Sequence, residues 1–338
     1  MKYKLLGKTG VRVSEFALGT ANFGTDWGHG ADEAESLKIL NAFEDAGGNF
    51  LDTADIYQFG QSEAILGKLL EGRREDFFLA SKYTYGASPT ANRLVTGNSR
   101  RSMTASVEAS LKRLKTDRID LYWVHNPDSL TPAEELVRGL DDLARAGKIL
   151  YAGLSNFPAW RLSRAVTLAE LTHAVPIAAA QFEYSLVHRT PESDVIEACE
   201  ALGLASITWS PLGGGMLTGK YRNGETGRAE AFGGKVFQAE NNQKRTAILD
   251  AVLEIAKTLR VSPDQVAIAW VASRGTIPIL GPRSLTQLSS NVGAQSLALS
   301  EAHLTLLNAA SSADSTEGPA SAAGLDMSNT ETPGRVVA

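Results

Sequence analysis

Short apolar runs alternate with longer amphipathic stretches along most of the chain. Each run is almost continuously apolar, which is typical of a strand buried on both faces of a parallel sheet. The runs cover residues 16–20, 49–53, 77–82, 119–125, 149–155, 177–182, 205–210 and 276–280. The periodic stretches that follow them predict helices over residues 32–46, 62–71, 99–115, 132–146, 158–170, 191–202 and 284–294. Start and stop signals flank one of these helices, with Pro191 in an acidic first turn and Gly203 past the end.

The number of strands separates two arrangements of parallel strands and helices. Two helical stretches, 242–259 and 263–274, lie between the seventh and eighth runs, so one of them is an extra helix. Eight strands, each followed by a helix, predict a TIM (β/α)8 barrel. A doubly wound open sheet is the alternative. The unbroken count of eight favours the barrel.

The two ends of the chain fall outside this repeat. Residues 3–14 alternate around a Lys-Thr-Gly turn and predict a small N-terminal β-hairpin. Residues 311–338 are rich in Ser, Ala, Gly and Thr and predict a flexible C-terminal tail, which leaves 1–310 as a single barrel domain. Residues 220–241 predict a polar, Gly-rich loop after the seventh strand. Long loops at that end of a barrel often carry function, although flexibility alone is the commoner interpretation.

Composition narrows the class of protein. Of 338 residues, 43% are hydrophobic and 21% charged, as in an ordinary globular enzyme, and the formal charge of −5 gives no reason to expect nucleic acid or an anionic membrane as a partner. Cys199 is the only cysteine, so no intramolecular disulfide can form. The N-terminus lacks the apolar core of a signal peptide, and no apolar run approaches about 18 residues. We expect a cytoplasmic protein, as a monomer or homo-oligomer.

Four polar side chains follow neighbouring strands at the points where those strands end. Asp52 ends the second strand and Tyr57 lies in the loop after it, while Lys82 ends the third strand and His125 the fourth. The carboxyl ends of barrel strands meet at one rim and carry the chemistry of this fold. We therefore expect one site that contains a carboxylate, a phenol, an ammonium and an imidazole.

These four groups suit proton transfer. An unperturbed tyrosine titrates near pH ~10, and a nearby ammonium makes it more acidic. Asp52 would hold Lys82 charged, Tyr57 would exchange a proton with a substrate oxygen, and a neutral His125 would orient that oxygen. The five histidines are scattered, and no cluster has metal-ligand spacing. Because nothing in this set supplies electrons, a cofactor is expected to do so.

The chain resembles the aldo-keto reductases over roughly residues 1–310. The matching segments, in order, are "LGKTGVRVSEFALGTANFG", "NFLDTADIYQFGQSEAILG", "FFLASKY", "RIDLYWVHNPD", "GKILYAGLSNF", "QFEYSLVHR", "WSPLGGGMLTGKY" and "GPRSLTQLSSNV". The resemblance implies that Asp52, Tyr57, Lys82 and His125 are the catalytic tetrad, with Tyr57 as general acid/base. It also implies NAD(P)H-dependent interconversion of aldehydes or ketones with alcohols.

The resemblance implies a nicotinamide dinucleotide bound without a Gly-rich Rossmann turn, and no G-x-G-x-x-G opens a helix after a strand here. Its expected binding residues, from the nicotinamide ring to the adenosine, are Ser155, Asn156, Gln181, Trp209, Ser210, Leu212, Gly214, Leu217, Gly219, Lys220, Gly281, Arg283, Gln287 and Asn291. Trp209 stands where family members more often have Tyr or Phe stacked on the nicotinamide. Arg283 with Ser284 can bind a 2′-phosphate, which favours NADPH, although NADH remains an alternative.

Family substrates are carbonyl compounds and alcohols, and the loops after the first three strands should form the substrate wall. The candidate wall residues are Phe23, Trp27, Ile56 and Tyr85. Trp123 has the same strand parity as His125 and is expected inside the barrel. Aromatic walls suit a bulky or flat substrate.

Two other functions remain open from the sequence. One is a regulatory cofactor-binding subunit, since some members of the resembling family attach to potassium channels. The other is a barrel lyase that uses Lys82 as a Schiff-base amine.

Overall fold

Eight parallel strands form a closed barrel in the computed structural model, which describes residues 1–223 and 238–312. The barrel strands are β3 (Ala17–Gly19), β4 (Phe50–Asp52), β5 (Phe78–Tyr83), β6 (Ile119–Val124), β7 (Ile149–Ser155), β8 (Ile177–Glu183), β9 (Ala205–Trp209) and β10 (Ile277–Leu280). Each strand pairs with the next along the chain, and β10 closes the ring on β3. The predicted TIM barrel is confirmed, and the open sheet is excluded.

Helices surround the barrel. They are α1 (Glu33–Asp45), α2 (Gln61–Leu69), α3 (Arg100–Leu114), α4 (Ala133–Arg145), α5 (Ala159–Leu171), α6 (Val195–Leu202), α7 (Gln243–Leu259), α8 (Pro263–Ser273), α9 (Leu285–Val292) and α10 (Glu301–Ser311). The described residues between β9 and β10 contain α7 and α8, so the predicted extra helix is present there.

One helix starts later than the prediction. Residues 190–193 form a separate 3₁₀ turn, and α6 begins only at Val195. Asp194 is the N-cap residue, and its side chain accepts a hydrogen bond from the Val195 N–H. The proline and acidic residues that predicted a first helical turn therefore belong to the turn before the helix.

Two apolar layers stabilise the barrel. The outer layer packs the strands against the helices. The inner layer fills the barrel and includes Phe50, Leu121 and Trp123, all fully buried. The expected inward position of Trp123 is therefore observed. Alternate side chains of each strand supply the two layers, because successive residues point to opposite faces.

The predicted hairpin closes the lower end of the barrel. Strands β1 (Tyr3–Leu5) and β2 (Arg12–Ser14) pair antiparallel, with Tyr3 opposite Ser14. Leu6 and Val13 are fully buried and join the inner apolar layer. With this end filled, the opposite rim is the end of the barrel that can open to a ligand.

Two predicted segments lie partly or wholly outside the described residues. The loop 220–241 is described only over 220–223 and 238–241, and the predicted tail 311–338 only as far as Ser312. Their flexibility stays a prediction. Among the described residues, every helix is too short or too polar to cross a membrane.

Candidate active site

A buried ion pair forms the base of the site. Lys82 is 0% and Asp52 1% exposed. Asp52 lies opposite Ala80 in the β4–β5 register, so Lys82, two residues further along β5, shares its inward parity. The Lys82 Nζ donates to Asp52 Oδ2, to the Thr53 carbonyl oxygen at 2.9 Å and to Tyr57 Oη at 3.1 Å. Strand parity therefore brings these groups of the predicted tetrad into one hydrogen-bonded cluster.

The electrostatic balance keeps Lys82 charged. Burial disfavours its ammonium, but the nearby Asp52 and Tyr57 outweigh that cost, so the pKa of Lys82 lies above its ordinary value. The Nζ also lies 4.7 Å from the centre of the Tyr57 ring. A positive charge is thus held beside the phenol.

His125 lies on the other side of Tyr57. The two ring centres are 5.8 Å apart in an edge-on arrangement, and the Tyr85 ring lies 5.0 Å from His125. Burial and then the charge of Lys82 hold the pKa of His125 well below its usual range. The imidazole is therefore neutral near pH ~7, and a neutral ring can donate one hydrogen bond.

The loop after β4 reaches its shape through an unusual backbone. Gln58, Phe59 and Gly60 all have positive φ, at 50°, 52° and 91°. The fully buried side chain of Gln58 accepts from the Trp27 N–H at 2.7 Å and donates to the carbonyl oxygens of Ala21 and His29 at 3.1 Å. Gln58 therefore ties the loop that carries Tyr57 to the loop after β3. Nothing in the sequence pattern singles out Gln58.

The residues that line the site at the ends of β7, β8 and β9 are neutral. Gln181 Nε2 donates to Asp52 Oδ1 at 2.9 Å, so both oxygens of that carboxylate accept a hydrogen bond. Asn156 follows β7 with φ of +62°, and its side-chain oxygen accepts from the indole Nε1–H of Trp209 at 3.0 Å. Hydrogen bonds thus continue from the ion pair into this part of the rim.

The Gly-rich segment after β9 uses left-handed backbone at Gly214, Gly215 and Gly219, with φ of 65°, 91° and 75°. The N–H of Gly214 donates to Ser210 Oγ and that of Gly215 to the Leu212 carbonyl oxygen, both at 3.0 Å. In this conformation those two amides are bonded within the loop.

The start of α9 forms the far end of the site. The Arg283 N–H donates to Gln287 Oε1 at 2.8 Å, and Asn291 Nδ2 donates to Asp264 Oδ2 at 2.6 Å. Arg283 is half-buried, and no carboxylate pairs with it among residues 1–223 and 238–312. Its guanidinium can therefore meet an anionic ligand.

A single cavity of about 600 Å³ connects these parts. The predicted residues that line it are Asp52, Tyr57, Tyr85, His125, Ser155, Asn156, Gln181, Trp209, Ser210, Leu212, Gly214, Lys220, Gly281, Arg283, Gln287 and Asn291. Asn22, Asn126 and Asp264 also line it and were not predicted from the sequence. Asp264 lies in the first turn of α8, so only the folded chain places it at the cavity.

Some predicted residues lie outside the wall. Phe23 and Leu217 are fully buried in the outer apolar layer, and Ile56 is 8% exposed. The prediction of Phe23 as a substrate contact is therefore corrected, because its ring packs into the core. Trp27 is not a lining residue either, but its ring lies 6.1 Å from that of Tyr57. Lys82 lies beneath the cavity, and Gly219 is buried behind it.

The shape and chemistry of the cavity fit a nicotinamide dinucleotide. Amides lie near the proton-transfer cluster, a Gly-rich loop follows, and a guanidinium lies at the far end. A dinucleotide presents a carboxamide, a pyrophosphate and an adenosine in the same order. At the far end, a Cβ added at Gly281 would have Asn22 Nδ2, at 3.9 Å, as its nearest neighbour among the described residues, so this part of the cavity is uncrowded. The residues present therefore suit this class of cofactor.

Comparisons with known proteins agree with this geometry. The model of the aldo/keto reductase family matches residues 15–312, and the chain belongs to that family. An uncharacterized oxidoreductase of Bacillus subtilis is 37% identical over 91% of this chain and 95% of its own length. An aryl-alcohol dehydrogenase [NADP(+)] of Phanerodontia chrysosporium is 34% identical, covering 88% and 83%. A probable voltage-gated potassium channel subunit beta of Oryza sativa is 33% identical, covering 87% and 91%.

Membership defines the general class of activity. The protein is an oxidoreductase of a family that acts on carbonyl and alcohol groups of small molecules.

Proposed function

We propose that this protein is an NADPH-dependent reductase of aldehydes and ketones, and a dehydrogenase of the corresponding alcohols. The observation that carries the proposal is the Lys82 Nζ beneath the cavity, paired with Asp52 and 3.1 Å from the Oη of the lining residue Tyr57. A bound reduced nicotinamide supplies the hydride. The chain itself orients the substrate and moves the proton.

In the proposed reaction, His125 donates a hydrogen bond to the substrate carbonyl oxygen, which its low pKa permits as a neutral ring. Negative charge develops on that oxygen as the hydride arrives at the carbonyl carbon. Tyr57 Oη then gives its proton to the oxygen, and the Lys82 ammonium stabilises the phenolate that remains. In the oxidation direction the phenolate takes the alcohol proton.

The charge of Lys82 argues against the Schiff-base alternative. A lysine must be neutral to attack a carbonyl, and burial beside a positive charge or in an apolar pocket is what makes it so. Here Asp52 raises the pKa of Lys82 against its burial. Lys82 therefore serves as a fixed charge rather than as a nucleophile.

We further propose that the substrate is uncharged and flat. The rings of Trp27 and His125 lie beside the ring of the proton donor Tyr57, and the ring of Tyr85 lies beside His125. Among the described lining residues, the charged ones other than Asp52 are Lys220, Asp264 and Arg283, which lie with the predicted cofactor residues. An aromatic aldehyde gains from ring contacts there, whereas a keto acid would lose the hydration of its carboxylate. The aryl-alcohol relative supports this substrate class.

The test is a set of aromatic aldehydes, aliphatic aldehydes and keto acids, assayed with NADPH and with NADH by following reduced-cofactor absorbance. We expect aromatic aldehydes with NADPH to give the highest kcat/KM. The matched control is Tyr57→Phe, which keeps the ring and removes the proton. If no carbonyl compound in the set is reduced, or if the control variant is fully active, the proposal is wrong.

A cytoplasmic location is part of the proposal. It is supported by the presence of one cysteine, Cys199, which allows no intramolecular disulfide, as is usual in a reducing compartment.

A further inference from the structure

The indole N–H of Trp209 makes a hydrogen bond that stacking of its ring on a nicotinamide would not require. Its Nε1–H donates to Asn156 Oδ1 at 3.0 Å. An indole nitrogen can only donate, so the atom that faces it must be the amide oxygen of Asn156. Trp209 thereby decides which way the Asn156 amide points. Phe and Tyr, more common at this position in the family, have no donor at the same place on the ring.

The side-chain nitrogen and the backbone N–H of Asn156 are also engaged. Its Nδ2 donates to the His125 carbonyl oxygen at 3.0 Å and to Ser155 Oγ at 3.1 Å. Its backbone N–H donates to the Gln181 carbonyl oxygen at 2.7 Å. Asn156 is therefore joined to the ends of β6, β7, β8 and β9.

Reversal of the amide would disrupt this arrangement. Rotation by half a turn would place the amide oxygen against the His125 carbonyl oxygen, where two acceptors would face each other. With the indole N–H present, that state also leaves a donor facing the Asn156 NH₂ group. Without the indole N–H, the reversed amide would have only the unfavourable contact with the His125 carbonyl oxygen. The amide would then be less well ordered.

We propose that Trp209 is a positioning residue. Its indole N–H orients Asn156, and through Asn156 it holds the backbone of His125 in register with the nicotinamide end of the cavity. The proposal rests on the proposed function for its catalytic consequence, but the hydrogen bond itself can be tested without turnover. It predicts that the ring face of Trp209 contributes to the NADPH Kd, whereas its N–H contributes to kcat.

The first experiment measures the hydrogen bond by NMR of the indole N–H groups, of which the chain has five, in Trp27, Trp123, Trp160, Trp209 and Trp270. Trp209→Phe assigns the Trp209 signal by its loss. Asn156→Gly removes the acceptor and suits the positive φ at that position. We expect it to shift the Trp209 signal upfield. An unshifted signal overturns the proposal.

A second indole–asparagine pair gives a matched control. Trp270 Nε1 donates to Asn308 Oδ1 at 2.9 Å, away from the cavity. Asn308→Ala should shift the Trp270 signal and leave both the Trp209 signal and the kcat at their wild-type values. A shift of the Trp209 signal in this control would mean that the probe reports general disturbance, and the proposal would lose its support.

The second experiment measures catalysis. Trp209→Phe keeps an aromatic face, so we expect the NADPH Kd to change less than about threefold while kcat falls about tenfold, the effect of one hydrogen bond lost from the reacting geometry. Asn156→Gly combined with Trp209→Phe should be no slower than Asn156→Gly alone, because both changes remove the same interaction. A wild-type kcat in Trp209→Phe, or additive losses in the double variant, overturns the positioning role.

Failure of the proposed function gives a different result. In that case the wild-type protein itself shows no nicotinamide-dependent turnover, and the catalytic role of Trp209 falls with it. The NMR shifts would still show whether the hydrogen bond exists. Thermal unfolding of each variant separates loss of fold from loss of position.

Discussion

The two halves of the barrel rim hold their side chains by different means. The charged half, at the ends of β4, β5 and β6, contains Asp52, Tyr57, Lys82 and His125, with a fully buried ion pair at its base. The amide half, at the ends of β7, β8 and β9, contains Ser155, Asn156, Gln181 and Trp209, which are neutral and joined through Asn156.

The difference shows where precision is needed. A buried ion pair is tolerated only when its geometry is good and its remaining atoms are hydrogen-bonded, since removal from water costs several kcal/mol per ion. Lys82 meets this condition through the Thr53 carbonyl oxygen and Tyr57, and Asp52 through Gln181. Neutral amides carry no such cost, so the amide half can spread its contacts over more residues. We therefore expect single changes in the charged half to have the larger effects.

The largest effect is expected at the phenol. Tyr57→Phe removes the proton donor, and we expect kcat to fall by about 10²–10⁴, the usual range for a general acid. Its NADPH Kd, measured by fluorescence quenching, should stay near the wild-type value because the phenol faces the substrate oxygen. A large loss of NADPH affinity would show that Tyr57 belongs to the cofactor site instead.

The next effect is on stability. Lys82→Met leaves Asp52 as an uncompensated buried charge, and we expect the free energy of unfolding in urea to fall by about 3–5 kcal/mol. Lys68→Met is the matched control, since its pair with Glu33 is about half exposed on both sides. That change should cost less than about 1 kcal/mol. Equal losses in the two variants would show that burial of the ion pair carries no special weight.

A smaller effect is expected at the far end of the cavity, beyond the amide half. Arg283→Ala should raise the Kd for NADPH by about 10- to 100-fold, because a charge-assisted contact with the 2′-phosphate is lost. The Kd for NADH, which lacks that phosphate, should change by less than about threefold. Titration of the two cofactors into wild-type and variant protein checks this. Similar losses of affinity for both cofactors would show that Arg283 does not contact the 2′-phosphate.

The smallest expected effect is on the pH dependence of the free energy of unfolding. Asp55 lies in the loop of the charged half, and burial followed by the nearby Glu63 raises its pKa to about 7. An unfolded Asp titrates near pH ~4, so the folded state binds more protons between these values. This contribution to stability is present at low pH and is lost as the pH rises towards 7.

Asp55→Asn tests the pH effect because asparagine stays neutral. We expect the variant to be more stable than the wild type above about pH 7, with the difference shrinking by at most about 1.4 kcal/mol per pH unit on acidification. Urea unfolding across this range gives the measurement. Glu183→Gln gives a second test at the last residue of β8, outside the two sets of rim residues, since burial also raises the pKa of Glu183 to about 7. A constant difference between Asp55→Asn and wild type at every pH would refute the prediction.

Much of the charged half was predictable from local pattern. Asp52, Lys82 and His125 each end an apolar run, and parallel strands in a barrel end at one rim. Trp209 was predictable as a rim residue for the same reason. Its hydrogen bond to Asn156 was not, because the two residues are 53 positions apart and meet only through strand neighbours. Gln58 was missed because its partners, Trp27, Ala21 and His29, lie in another loop.

The sequence by itself determined the number and order of strands, the hairpin, the family resemblance and the rim residues that end each strand, since these follow from local periodicity and short motifs. Only the tertiary structure decided which rim residues face the cavity. Phe23 packs into the core, Asp264 reaches the cavity from α8, and Asn156 points its oxygen at Trp209. The physical reason is that burial and hydrogen-bond partners depend on contacts between residues far apart in the chain, which periodicity does not record.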